Sequence, residues 1–322
     1  MKCRIVSGVV LLVAQLLIVQ SAQAFPDRPV KLVVSSPAGG PPDIMARLLS
    51  DKLAAALGQP IVVENRPGGG GGTVASKSVL AAEPDGYTLY MGSTSSVLIG
   101  PLVHKNAGFT ADSFAAVAGL SESAEILAVH PSVPAQSVAE LVTLAKSQPG
   151  KLSYGSAGVG SLPHIEGELL KARAGIDMGQ VPYRGGGPAV SDLLGGTIQV
   201  MFSALTQLLP NVHDGRLRGL AVTSATRSKL APELPTMVES GFDEFVTASV
   251  NFIVAPPGTP MPIRQQINDA VAKALSSPEV EQNFAKIGAT ARPASPEQLA
   301  LYMAEQQRRW AKIVETTKIA AE

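Results

Sequence analysis

A β-branched run, Val30 to Val34, breaks on Ser35-Ser36-Pro37-Ala38-Gly39-Gly40-Pro41-Pro42 and passes at Asp43 into a helical pattern. This order predicts a strand, a tight turn and a helix start. Glycines let backbone approach a ligand closely, and prolines, which lack an N–H, suit a first helical turn. The same grammar returns where Leu152 to Tyr154 runs into Gly155-Ser156-Ala157-Gly158-Val159-Gly160-Ser161-Leu162-Pro163-His164, and again at Val181-Pro182-Tyr183-Arg184-Gly185-Gly186-Gly187-Pro188. Repeated strand, glycine turn and helix predict α/β units on a mainly parallel sheet.

The intervening segments fit. Ile44, Leu48, Leu49, Leu53 and Leu57 form a helical stripe closed by Gly58. Strands are expected at Pro60 to Glu64, Tyr87 to Met91, Ala124 to His130, Thr197 to Phe202, Leu217 to Thr223 and Val250 to Ala255. Ser137 to Glu140 reads as a capping box, and Ser295-Pro296-Glu297-Gln298 caps a last helix lined by Leu299, Met303, Trp310 and Ile313. The chain has 322 residues, room for two domains.

Residues 1–24 carry a different signal. Lys2 and Arg4 precede the apolar run Ile5 to Val19, and Ala22-Gln23-Ala24 supplies small residues before Phe25, the layout of a secretory signal peptide cleaved after Ala24. The apolar run is shorter than the roughly 20 residues a membrane span needs. Cys3, the only cysteine, precedes it, so the mature chain has no thiol or disulfide. Losing Lys2 and Arg4 leaves 24 basic against 26 acidic residues. Such a balance gives no long-range attraction for nucleic acid or anionic lipid. Aromatics, at 4%, are too few for base-stacking platforms. An exported chain without cysteine points to a bacterial periplasm.

The motifs for chemistry are incomplete. Gly70, Gly72 and Ala75 fit a dinucleotide fingerprint, but Asn65-Arg66-Pro67 separates them from their strand, and Glu83 and Asp85 come too early for the ribose acid. A phosphate loop fails at Ser76, where glycine is required. Neither Ser156 nor Ser161 has the glycine two places before it that a nucleophile elbow demands. His104, His130, His164 and His213 lack paired metal-ligand spacing, and no cofactor is expected. His164 has two open readings, a ligand-facing group or a helix residue bonding nearby backbone. What remains is anion binding by backbone amides at helix N-termini.

At this point the residues resemble a family, the tripartite tricarboxylate transporter receptors, also called Bug proteins. The likeness rests on Pro37-Ala38-Gly39-Gly40 with Asp43 and Arg47, Val63-Glu64-Asn65-Arg66-Pro67-Gly68, Pro84-Asp85-Gly86-Tyr87-Thr88-Leu89, Tyr154-Gly155-Ser156 with His164, and Val181 to Gly185. Asp192 to Gly196, Ala255 to Pro260 and Arg309-Trp310 extend it.

The resemblance implies a type II periplasmic binding protein, two α/β domains joined by a hinge with a ligand cleft between them. Domain 1 would be 25–124 plus 248–322, and domain 2 would be 125–247. The ligand would be a small organic anion held by Ser36, Ala38, Gly39, Gly40 and Asp43 from one turn and Ser156, Ala157, Gly160, Ser161 and His164 from the other. Ser93 and Ser95 would add hydroxyls, and Arg184, Gly185 and Gly186 would line domain 2. The partner implied is a membrane permease, served by a monomer.

Two departures bear on the ligand. Pro41-Pro42 stands where the family has Gly, Ser or Thr before Asp43, and Ser203 stands where many members have Asp after Met-Phe. Without that carboxylate an ammonium loses its partner, which favours a dicarboxylate or aromatic carboxylate over an amino acid. Asp43 is expected to cap its helix and fix the turn. The competing readings are a secreted hydrolase using Ser156 or Ser161 with His164, and a ligand sensor for a signalling receptor.

Overall fold

The computed structural model describes residues 25–317 and 319, apart from Gly70. The signal-peptide reading therefore lies outside the described residues.

The first part of the chain alternates as expected. Strand β1 (Val30–Val34) leads to α1 (Pro41–Leu57), β2 (Ile61–Asn65), α2 (Thr73–Leu80) and β3 (Thr88–Ser93). β2 and β3 pair with β1 in parallel, and a π-helical segment, Thr94–Ile99, continues into the short α3 (Gly100–Val103). Helix α1 buries Met45, Ala46, Leu49, Leu53 and Leu57 against this sheet. Ile44, expected on that stripe, is 40% exposed instead. Gly58 ends α1 at φ 75°, a left-handed conformation that costs glycine little.

Strand β4 (Ala115–Val129) is far longer than expected, continuous through Gly119 and the small polar residues Ser121 to Glu125. It is followed by α4 (Val138–Ser147), β5 (Ser153–Ser156), α5 (Leu162–Ala174), β6 (Gly179–Pro182), α6 (Gly186–Leu194), β7 (Val200–Ala204), α7 (Leu205–His213) and β8 (Arg218–Val222). β5 pairs with β6 and β7 in parallel. Helix α7 carries Pro210 inside it, exposed to solvent. At the start of α4, Ser137 Oγ accepts from Glu140 N at 3.2 Å, but the Glu140 carboxylate reaches Gln136 N rather than that of Ser137.

The chain then returns through β9 (Ala248–Ala255), α8 (Met261–Leu275), α9 (Pro278–Lys286), β10 (Thr290–Ala294) and α10 (Pro296–Thr317). The sheet order is β2-β1-β3-β9-β4-β7-β5-β6, with β8 and β10 also on β4. Residues 115–124 of β4 run antiparallel to β9, and from Glu125 onward the strand pairs with β7. One strand thus belongs to two sheet halves. Each half has apolar clusters on both faces, the arrangement a layered α/β unit requires. Trp310 of α10 is 1% exposed and packs into the first half's second cluster, alongside Leu162 and Ile165 of α5.

Candidate functional site

The glycine turns all follow the carboxyl ends of parallel strands, where α/β sheets place their ligand crevices. After β1, Gly39 adopts φ 80° and its amide donates to Asp43 Oδ2 at 2.9 Å, while Gly40 N donates to Pro37 O. The helix N-cap is Gly40, not Asp43. Asp43 lies behind the turn, 3% exposed, and receives Arg47 Nε at 3.0 Å and Asn65 Nδ2 at 2.9 Å. Asn65 also donates to Ser36 O, so strand, turn and helix are locked together. Burial pushes the Asp43 carboxyl up, but the bonds from Arg47, Gly39 and Asn65 outweigh it and hold the group below the usual Asp range. The expectation that Asp43 caps its helix is thus corrected, while its bonds to the Gly39 amide and Asn65 fix the turn. Ala38 and Gly39 are exposed at the tip, and Ser36 Oγ is buried without a hydrogen-bond partner among the described residues.

After β3, Ser93 and Ser96 close a capping box, with Ser96 N donating to Ser93 Oγ at 3.2 Å and Ser93 N to Ser96 Oγ at 3.0 Å. Ser95 reaches further. Its Oγ accepts from the amide of Leu162, the first residue of α5, at 3.0 Å. His104 Nε2 lies 3.1 Å from Val159 O in the same second turn. The glycine run that failed as a nucleotide motif packs here too: a Cβ on Gly71 would stand 3.2 Å from Gly160 O, and one on Gly72 2.9 Å from Ser35 and Ser96 Cβ. Its glycines are needed for close backbone approach.

In the second turn, Ser156 is fully buried and Gln180 Nε2 donates to its Oγ at 2.9 Å. Ser161 Oγ donates to Gly158 O at 2.7 Å. His164, 5% exposed, accepts from Gly160 N through Nδ1 at 3.2 Å. His164 thus makes the bond to nearby backbone that one of its two readings describes. Burial lowers its pKa, keeping the ring neutral. Ser156 and Ser161 spend their hydroxyls elsewhere than on His164, so the pairing a serine hydrolase needs is not made among the described residues. Ala157 is half-buried on this turn.

The third turn places Gly185 at φ 114° as the N-cap of α6, with Arg184 exposed beside it. Ser203, 2% exposed at the end of β7, donates to Gln207 Oε1 at 2.6 Å. A Cβ on Gly186 would fall 2.5 Å from that same oxygen. Gln207, on the first turn of α7, is thus wedged between two of the expected residues. Nothing in its local sequence marks it. Among the described residues no group of three or more His, Cys, Asp or Glu converges on a point where a metal could sit.

Comparison with known proteins decides the family. Residues 45–319 match the tripartite tricarboxylate transporter family receptor. The chain belongs to this receptor family. The receptor is similar to BugT of Bordetella pertussis, 35% identical over 299 residues that cover 92% of this chain and 91% of BugT. It is also similar to two solved structures. One is R. palustris Rpa4515 with adipate, at TM-score 0.87 and 33% identity, covering 92% of this chain and all of the other. The second is MatC from Rhodopseudomonas palustris with bound malate, at TM-score 0.85 and 32% identity, covering 90% of this chain and all of MatC. The fold of the receptor is that of a periplasmic binding protein with two α/β domains, and its family is one of solute receptors for transport rather than of enzymes. Among the described residues no helix is long and apolar enough to cross a membrane.

Proposed function

We propose that this receptor holds a small dicarboxylate between residues 25–124 plus 248–322 on one side and 125–247 on the other, and delivers it to a membrane permease. It would do so as a monomer without catalysis, after removal of residues 1–24. The observation that carries the reading is the Ser95 Oγ to Leu162 N–H bond, which brings the segment after β3 against the N-terminus of α5. A carboxylate oxygen entering there competes for the same helix-end amide, which favours negative charge. Each charge-assisted hydrogen bond contributes about 1.5–3 kcal/mol, so a few suffice for micromolar affinity, about −8 kcal/mol.

The proposed ligand set is Ser36, Ala38, Gly39 and Gly40 from the first turn, Ser93 and Ser95 from the end of β3 onward, and Ala157, Gly160 and Ser161 opposite. Arg184, Gly185 and Gly186 line the far wall, with Ser203 acting through Gln207. Asp43, Ser156 and His164 are assigned to holding the turns. Support for a dicarboxylate comes from the relatives solved with adipate and malate. The neutral Ser203–Gln207 pair favours this over an ammonium-bearing ligand.

The test is a thermal-shift and calorimetric panel on the mature chain. A dicarboxylate such as malate or adipate at a hundred times its Kd should add about 2.7 kcal/mol of stability. Tightest binding to a zwitterionic amino acid would refute the ligand class. Turnover of an ester panel, abolished by Ser156→Ala or Ser161→Ala, would refute the receptor without catalysis.

A further inference from the structure

Two buried glutamates lie in the joint between the sheet halves. Glu125 is the β4 residue at which pairing passes from β9 to β7, and it is 3% exposed. Glu166, on the second turn of α5, is fully buried. Oε2 of each has no hydrogen-bond partner among the described residues. Glu166 Oε1 accepts from the hydroxyl of Thr247, the residue immediately before β9. Thr223 completes the joint: its Oγ1 accepts from Glu125 N at 3.1 Å and donates to Thr247 O at 2.9 Å. Glu166, Thr247, Thr223 and the Glu125 backbone are thus linked in a chain of hydrogen bonds where α5 meets β4 and the start of β9.

No cation neutralises this pair among the described residues. On α5 itself, Glu168 is bonded to Lys171 at 2.8 Å and to the Tyr154 hydroxyl at 2.6 Å. His164 is occupied by Gly160 N. On α10, Arg309 donates to Val246 O, and on β4 Glu122 pairs with Arg292 of β10 at 3.1 Å. In the segment between β8 and β9, Arg227 pairs with Glu239 at the surface, while Arg173 of α5 donates to Asp243 O. Two carboxylates buried in one joint without a cation are strongly disfavoured when ionised, and a proton bound there removes that cost.

We propose that Glu125 and Glu166 form a proton-binding site in the joint between the sheet halves, holding a proton at neutral pH and thereby tying α5 to the crossing strands. Burial pushes Glu125 up to about 8, and burial followed by repulsion from Glu125 raises Glu166 well above the ordinary Glu range. The proton is taken from and returned to solvent, and no redox partner is involved. The proposal uses no residue of the ligand set, so it holds whether or not the ligand is a carboxylate.

A carboxyl whose folded pKa is raised stabilises the fold most below its unfolded value of 4.5, and that stability is lost as pH rises through the folded value near 8. The melting temperature of the ligand-free mature chain should therefore fall across this window, and Glu166→Gln or Glu125→Gln should flatten the fall. Infrared spectra in D2O at neutral pH should show a protonated carboxyl stretch that loses intensity in each variant. If one variant does not fold, the other serves. If neither folds, the wild-type band, present at neutral pH and lost on titration to high pH, decides. Absence of that band in the wild type, or an unchanged intensity in both variants, overturns the proposal, as does a parallel pH slope in variant and wild type.

Discussion

Asp43 supports the first turn without occupying its tip, and that placement sets what its removal does. The carboxylate binds the Gly39 amide, Arg47 and Asn65 together, so Asp43→Ala leaves three donors without their shared acceptor. The expected cost is on the order of 2 kcal/mol, typical of hydrogen bonds to a charged group. Solute affinity should weaken with it, because Gly39 loses what holds its φ 80° conformation. Because the folded pKa lies below the ordinary 3.8, this stability is present above that value and lost as pH falls through the lowered one. Asp43→Asn should therefore destabilise at neutral pH and converge on wild type in acid. A constant difference between the two denaturation curves at every pH would rule out this role. The residue is legible in the sequence as a turn-fixing acid, since Asp near a helix start is a strong signal. That it reaches back to Gly39 rather than serving as N-cap depends on the turn's path, which sequence spacing leaves free.

Elements explain why some of the site is visible in the sequence and some is not. The three glycine turns are legible because glycine and proline punctuate strongly between a β-branched run and a helical pattern. Strand β4 is half hidden because Gly119 and the small polar residues Ser121 to Glu125 lack the alternation of a half-buried strand. Packing demands them: a Cβ on Gly119 would stand 2.4 Å from Arg292 O of β10, so the neighbouring strand needs the missing side chain. Gln207 is invisible for a related reason, since its position between Gly186 and Ser203 arises only when α6 and α7 come together. Gln207→Leu keeps the bulk but removes the amide. It should weaken dicarboxylate binding roughly 2- to 10-fold, the worth of one hydrogen bond, while a monocarboxylate is affected less. Equal loss for both, measured by calorimetry, would place Gln207 outside the distal end of the ligand.

For the whole molecule, the contact between the halves contributes before any solute arrives. Besides the bond from Arg309 to Val246 O, two polar links span it at the turns, Leu162 N to Ser95 Oγ at 3.0 Å and His104 to Val159 O at 3.1 Å, each contributing about 0.5–1.5 kcal/mol. Leu162 and Ile165 add apolar burial against the first half. A solute drives closure of the halves only in so far as it binds a closed arrangement better than an open one. Gly160 is the sensitive point. It adopts φ 77°, and a Cβ there would fall 2.9 Å from His104 Nε2. Gly160→Ala should therefore strain the second turn by about 1–2 kcal/mol and push His104 away. Ser95→Ala removes one link without strain. Small-angle scattering should show the wild type contracting on addition of malate or adipate, Ser95→Ala starting more expanded and contracting to the same limit, and Gly160→Ala failing to reach it. If all three have the same radius of gyration with and without solute, closure does not pass through this contact, and the Leu162 amide is not where the two jaws meet.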